Sequence, residues 1–172
     1  CIRDRFEKVM AWLDEHQPHD VGNCLIHNDF RFDNLVLAHD DPTRVIGVLD
    51  WEMATLGDPL MDLGGALAYW VQADDDRIMR GSRRQPTHAP GMLTRDEVWQ
   101  YYAHASGRAI SPKDQLFYEI FGLFRLAVIA QQIYYRYANG QTSNPAFKQF
   151  RGLVIYLEWR CRRLMRRAGR LS

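Results

Sequence analysis

The sequence predicts an α+β fold, mainly helical, on three observations. Apolar residues recur at helical spacing in several separate segments, and capping residues begin or end them. Two short apolar runs, residues 34–39 and 44–49, flank the turn sequence Asp40-Asp41-Pro42-Thr43 and read as a β-hairpin. Residues 115–137 are long and apolar enough to cross a membrane, but they carry Glu119, Arg125, Gln131, Gln132 and Arg136. Charge in mid-span is expensive in lipid, whereas a central helix of a packed lobe places such groups at its edges.

The elements follow in order. Phe6, Val9, Met10 and Leu13 form a helical stripe over residues 6–16 that Gln17-Pro18 ends. Cys24-Leu25-Ile26 is a short strand, and the hairpin comes next. Asp58 before Pro59 is a helix cap with proline in the first turn, and the helix runs to about Val71 with Leu60, Leu63, Leu67 and Trp70 on one side. Gly64 and Gly65 lower its propensity and suggest close packing. Gly81, Pro86, Pro90 and Gly91 break any period over residues 74–93, which reads as a mobile loop. Disorder is favoured there over contact of Arg80, Arg83, Arg84 and His88 with an anionic substrate. Thr94-Arg95-Asp96-Glu97 is a capping box for a helix that Gly107 ends, and Ser111-Pro112 opens the next. Phe117, Phe121, Phe124 and Tyr134 are expected in its core, and Asn144-Pro145 caps a long last helix.

With 22 basic and 21 acidic side chains in 172 residues, the charge balance excludes a general polyanion binder. Arg160, Arg162, Arg163, Arg166, Arg167 and Arg170 crowd the end, alternating with Trp159, Cys161, Leu164 and Met165. That pattern reads as the solvated face of a helix whose dipole favours late cations, so neither nucleic acid nor a membrane is expected as partner. Cys1, Cys24 and Cys161 are too few and too scattered for a disulfide framework or a zinc site, which predicts a reduced, cytoplasmic protein. No basic-then-apolar leader is read in these residues, no repeat is evident, and one domain is expected.

The chemistry is concentrated in His27-Asn28-Asp29-Phe30-Arg31-Phe32-Asp33-Asn34 and in Asp50-Trp51-Glu52. Phosphoryl transfer from a nucleotide needs an acidic group beside the acceptor hydroxyl and oxygen donors on the magnesium that bridges the phosphates. Asp29 fits the first task, and Asn34 and Asp50 fit the second. A short loop separates Asp29 from Asn34, and the hairpin returns Asp50 toward Asn34.

The first of these runs resembles the His-Gly-Asp-x-x-x-x-Asn catalytic loop of the aminoglycoside phosphotransferase and choline kinase-like families, and Asp50-Trp51-Glu52 resembles their metal-binding segment. The continuation Leu56-Gly57-Asp58-Pro59-Leu60-Met61-Asp62-Leu63 is most similar to the kinase-like domains fused to acyl-CoA dehydrogenases. The resemblance implies a protein kinase-like carboxy-terminal lobe over residues 1–172, with the hairpin carrying the catalytic and metal-binding loops. It implies Asp29 as catalytic base or hydroxyl-orienting group, and Asn34 and Asp50 as magnesium and ATP ligands. His27 is expected to brace the loop. Asp62 reaches back to the loop or complements the helix dipole, and Glu52 plays a supporting part near the metal. Asn28 stands where the family has glycine; asparagine tolerates a left-handed backbone, so the turn is expected to survive. Arg31 is expected to pair with Asp33.

No glycine-rich hairpin or strand lysine precedes the loop, so the nucleotide-binding amino-terminal lobe is expected to be missing, and a chain opening on Cys1 suits a trimmed piece. The implied activity is an ATP-dependent small-molecule kinase acting on an alcohol, with a hydroxyacyl-CoA, an aminoglycoside, choline or a sugar as candidates. The competing reading is a non-catalytic metabolite-binding or regulatory module, favoured by Asn28 and by the missing lobe. The face left bare by that lobe should make the isolated chain inactive and prone to associate, a homo-oligomer included.

Overall fold

The computed structural model describes residues 2–169; Cys1 and Arg170 lie outside the described residues. The chain divides into two compact units. One is helical and joins residues up to Pro18 with those from Ile110 onward, and the other comprises His19–Ala109.

The helical unit contains α1 (Ile2–Glu15), α5 (Pro112–Ala138) and α6 (Phe150–Ala168). Phe6, Val9 and Leu13 of α1 are buried with Ile120, Leu123, Ala127 and Ala130 of α5 and Val154, Leu157, Cys161 and Leu164 of α6. The three- and four-residue spacing of these positions builds the core. Ser111 and Asp114 form a capping box at the start of α5, with Pro112 in the first turn. By length and apolarity α5 suffices to cross a membrane. Here Phe117 is buried while Phe121, Phe124 and Tyr134 are only half-buried, because a 27-residue helix cannot turn every aromatic inward. Asn144 caps a 3-10 turn over Pro145–Gln149 before α6 starts, so the last helix begins later than its proline suggested.

Three arginines of α6, Arg160, Arg162 and Arg163, are engaged within the unit. Glu158 accepts from Arg162 at 2.8 Å and from Arg5 at 3.0 Å. Arg163 lies over the Trp159 ring and Arg160 donates to the Tyr156 hydroxyl. Trp159 itself is exposed, so the apolar face of α6 rests on Cys161 and Leu164 rather than on the tryptophan.

The second unit holds two separate antiparallel pairs. β2 (Leu35–Leu37) and β3 (Val45–Val48) form the expected hairpin, irregular between Val36 and Leu37. Asp41 organises its turn by accepting from the Thr43 N–H and hydroxyl. The other pair was not foreseen: β1 (Cys24–Ile26) joins β4 (Thr55–Gly57), with Ile26 opposite Thr55 and Cys24 opposite Gly57. A Cβ on Gly57 would stand 2.8 Å from Ile26 Cδ1, which explains a glycine in so short a strand.

α2 (Pro59–Ala68) begins at Asp58, whose carboxylate accepts from the Leu60 N–H at 2.7 Å and also from the Val21 N–H at 2.7 Å. It stops short of Val71 because the Thr87 side chain takes over the Val71 peptide, accepting from its N–H and donating to its carbonyl. Residues 74–93 are therefore not a disordered loop. They contain α3 (Arg77–Gly81), capped by Asp76, and bury Met79, Gln85 and Thr87. Asp75 receives a two-pronged bond from Arg95 at 2.7 and 2.8 Å, joining this segment to α4 (Arg95–Ser106), which Gly107 closes in a left-handed conformation.

Two outcomes test this packing. Leu157→Ala is expected to lower unfolding free energy by about 2–5 kcal/mol in urea titration, the range for truncating a fully buried leucine. Burial pushes the Cys161 thiol up to about 12, so it stays protonated and shielded at pH 8. Iodoacetamide should then label exposed Cys24 in the native protein, and Cys161 only after denaturation.

Candidate active site

The candidate catalytic loop runs from the end of β1 to the start of β2, and its tight steps have internal partners. Asn28 adopts a left-handed conformation at φ 65°, the geometry that makes glycine or asparagine suitable there. Its side-chain amide donates to the Met53 carbonyl at 3.0 Å. The Asp62 carboxylate, projecting from the first turn of α2, accepts from the His27 N–H at 2.7 Å and from the Asn28 N–H at 2.8 Å. Of the two readings of Asp62, the structure selects the brace.

His27 is 3% exposed and joins three segments. Its Nε2 lies 2.7 Å from the Leu49 carbonyl, which can only accept, so this nitrogen carries the proton. Nδ1 is then the acceptor, and the Asp29 N–H donates to it at 3.2 Å. The ring packs against Trp51 at 4.7 Å and edge-on to Phe30 at 6.2 Å. These contacts make His27 a junction between the loop and the end of β3.

Asn34 closes a 3-10 turn over Phe32–Asn34. Its amide nitrogen donates to the Asp29 carbonyl at 2.8 Å and to Asp29 Oδ2 at 3.2 Å. The Asn34 carbonyl in turn accepts from the Leu49 N–H at 2.8 Å. The Leu49 peptide is thus gripped on both sides, by Asn34 at its nitrogen and His27 at its oxygen, and Asp50 is the next residue. Asp50 is itself left-handed at φ 66°, and its exposed side chain enters no hydrogen bond or ion pair among the described residues. The structure thus joins Asp29, Asn34, His27 and Asp62 directly and brings in Asp50 through the backbone.

Glu52 is not drawn into this network. It sits in the 3-10 turn Trp51–Met53 with its side chain exposed and unbonded among the described residues, because that turn faces it outward. Arg31 pairs more broadly than expected: it lies 3.5 Å from Asp29, 3.8 Å from Asp33, and over the Tyr69 ring. Gln85 and Thr87 were missed altogether. Gln85 Oε1 accepts from the Phe32 N–H at 2.9 Å and so pins the catalytic loop from a distant segment. No local spacing signals a single polar residue of this kind.

The donor set suits a hard divalent cation. Asn34 commits its nitrogen internally and leaves its amide oxygen, and Asp50 offers an unpaired carboxylate; magnesium takes oxygen ligands and relies on few protein groups where phosphates supply the rest. No group of three or more His, Cys, Asp or Glu side chains among the described residues could hold a metal alone.

Residues 2–98 match the phosphotransferase enzyme family, to which this chain belongs. Among its relatives, mouse acyl-CoA dehydrogenase family member 10 is 39% identical over 145 residues, covering 83% of this chain and 13% of that protein. Mouse acyl-CoA dehydrogenase family member 11 is 36% identical over 143 residues, covering 80% of this chain and 18% of that protein. A crystal structure from Ralstonia eutropha JMP134, described as a "putative aminoglycoside phosphotransferase", superposes with a TM-score of 0.72 at 31% identity over 92% of this chain and 48% of its own. The fold is kinase-like, as the loop motif implied, and the chain spans under a fifth of the length of these curated relatives.

Asp62→Ala leaves two loop N–H groups without their charged acceptor. The expected loss is about 2 kcal/mol of unfolding free energy by urea titration, with faster hydrogen exchange at the His27 and Asn28 amides.

Proposed function

We propose that this chain is the carboxy-terminal, catalytic lobe of a small-molecule kinase that moves the terminal phosphate of ATP to an alcohol. The observation that carries this reading is the doubly held Leu49 peptide, which fixes the backbone of Asp50 against the loop bearing Asp29 and Asn34.

Asp29 receives the hydroxyl of the acceptor and takes its proton as the oxygen attacks. Asn34 holds the Asp29 carboxylate through Oδ2, and Arg31 stands on the Oδ1 side, so the acid is oriented before an acceptor arrives. Asn34 Oδ1 and the Asp50 carboxylate would hold magnesium, which when bound offsets charge on the phosphates. A separate amino-terminal lobe completes the nucleotide site, so the lobe alone is inactive. Supporting that partner is the bare apolar surface around the hairpin and β1–β4, where Leu25, Ile46, Leu49, Trp51, Met53 and Leu56 are all exposed. The names of the relatives support a hydroxyacyl-CoA as acceptor, and the aminoglycoside phosphotransferase likeness supports an amino sugar; choline and simple sugars belong to the same chemical class.

The competing reading, a non-catalytic binding module, drew on Asn28 replacing glycine and on the missing lobe. The left-handed backbone and paired side chain of Asn28 remove the first of these supports.

A single-turnover assay with the intact protein, labelled ATP and a panel of these alcohols tests the proposal. Asp29→Ala is expected to slow transfer by about 10²–10⁴-fold, the range for losing a positioned acid–base group. Undiminished transfer by Asp29→Ala would remove Asp29 from the reaction, and no transfer to any alcohol by the wild type would favour the binding module.

A further inference from the structure

The segment between α2 and α4 is built more firmly than its composition suggested, and it leaves a particular kind of charge unspent. Its carboxylates are engaged. Asp75 is clasped by Arg95, Asp76 caps α3, and Asp74 accepts from the Gln72 side chain. Its cations are not: Arg77, Arg80, Arg83 and Arg84 enter no ion pair among the described residues. With Asp75 paired to Arg95, these four arginines stand against two remaining carboxylates, Asp74 and Asp76, so the stretch carries a net positive field that favours an anion.

Where that field lies is set by two buried side chains. Gln85, 5% exposed, holds the Phe32 N–H, and Thr87, 2% exposed, holds both sides of the Val71 peptide. Arg83 and Arg84 immediately precede Gln85, and Phe32 is three residues beyond Asp29 in the catalytic loop. The strap bearing the two arginines is therefore anchored to the loop that receives the acceptor. Guanidinium groups present planar, two-pronged donors that match phosphate oxygens.

From this we infer that Arg83 and Arg84 form an acceptor-recognition site for a phosphate-type anion, held on the acceptor molecule away from its reacting hydroxyl. The inference rests on the phosphotransferase reading for the word acceptor and deepens it by narrowing the substrate class. A polycationic alcohol is disfavoured by the same charge. Gln85 acts as the positioning residue that ties occupancy of the arginines to the geometry of residues 29–34.

Calorimetric titration of the intact protein with inorganic pyrophosphate, at constant ionic strength and with EDTA present, tests this without nucleotide or magnesium. The wild type is expected to bind pyrophosphate, and the Arg83→Ala/Arg84→Ala double variant to bind it at least about tenfold more weakly, as loss of charge-assisted bonds requires. Arg163→Ala/Arg166→Ala, which removes exposed arginines of α6, should leave binding unchanged. Malonate, a dicarboxylate, should bind more weakly than pyrophosphate. The inference is overturned if the wild type does not bind, if the Arg83/Arg84 variant binds as well as the wild type, if the α6 variant is weakened equally, or if malonate binds as tightly. None of these outcomes bears on Asp29, Asn34 and Asp50, so this site and the proposed reaction fail or stand separately.

Discussion

The unit His19–Ala109 is organised around a single imidazole whose two nitrogens have opposite duties. His27 donates through Nε2 to the Leu49 carbonyl and accepts the Asp29 N–H through Nδ1, a division that only the neutral Nε2–H tautomer permits. With both bonds made, the end of β1, the catalytic loop and the end of β3 share one joint. Its near-complete burial beneath Trp51 and Phe30 keeps water from competing for either nitrogen. Removal of either partner would leave a buried polar atom unsatisfied, which is why so small a set of contacts can fix two chain segments.

The loop is also held from below, through α2. Asp58 starts that helix and ties back to Val21, and one turn later Asp62 receives two consecutive loop N–H groups. Carboxylates in a helix's first turn are favoured by its dipole, so the brace sits where negative charge is already welcome. The two left-handed residues, Asn28 and Asp50, lie on either side of the His27 joint. Each is a residue type that enters this conformation with little penalty, and Asn28 gains a hydrogen bond to Met53 in doing so. The placement of Asp29 and Asn34 thus rests on one direct side-chain contact and on backbone bonds, and that of Asp50 on backbone bonds alone.

Much of this could be read from the residues. The spacing of Asp29, Asn34 and Asp50, the turn chemistry at Asp41-Pro42, and the caps at Asp58, Thr94 and Ser111 are local signals, and local signals survive folding. What escaped was long-range. Thr55-Leu56-Gly57 is too short to announce itself as a strand until Cys24–Ile26 pairs with it. Gln85 and Thr87 sit among prolines and arginines that resemble disorder by composition, yet a side chain bonded to one distant peptide needs no period. Asp62 was ambiguous because bracing a loop and complementing a dipole demand the same residue at the same position. Glu52, two residues after Asp50, lies exposed in the 3-10 turn Trp51–Met53, because closeness in sequence does not fix where such a turn aims a side chain.

Everything assigned to the site depends on Asn34 and Asp50 serving one cation. Electron paramagnetic resonance of manganese bound to the intact protein with a non-hydrolysable ATP analogue measures this most directly. The account expects tight manganese binding that Asn34→Ala and Asp50→Ala each weaken while the fold is retained by circular dichroism. Manganese held with wild-type affinity by both folded variants would contradict it.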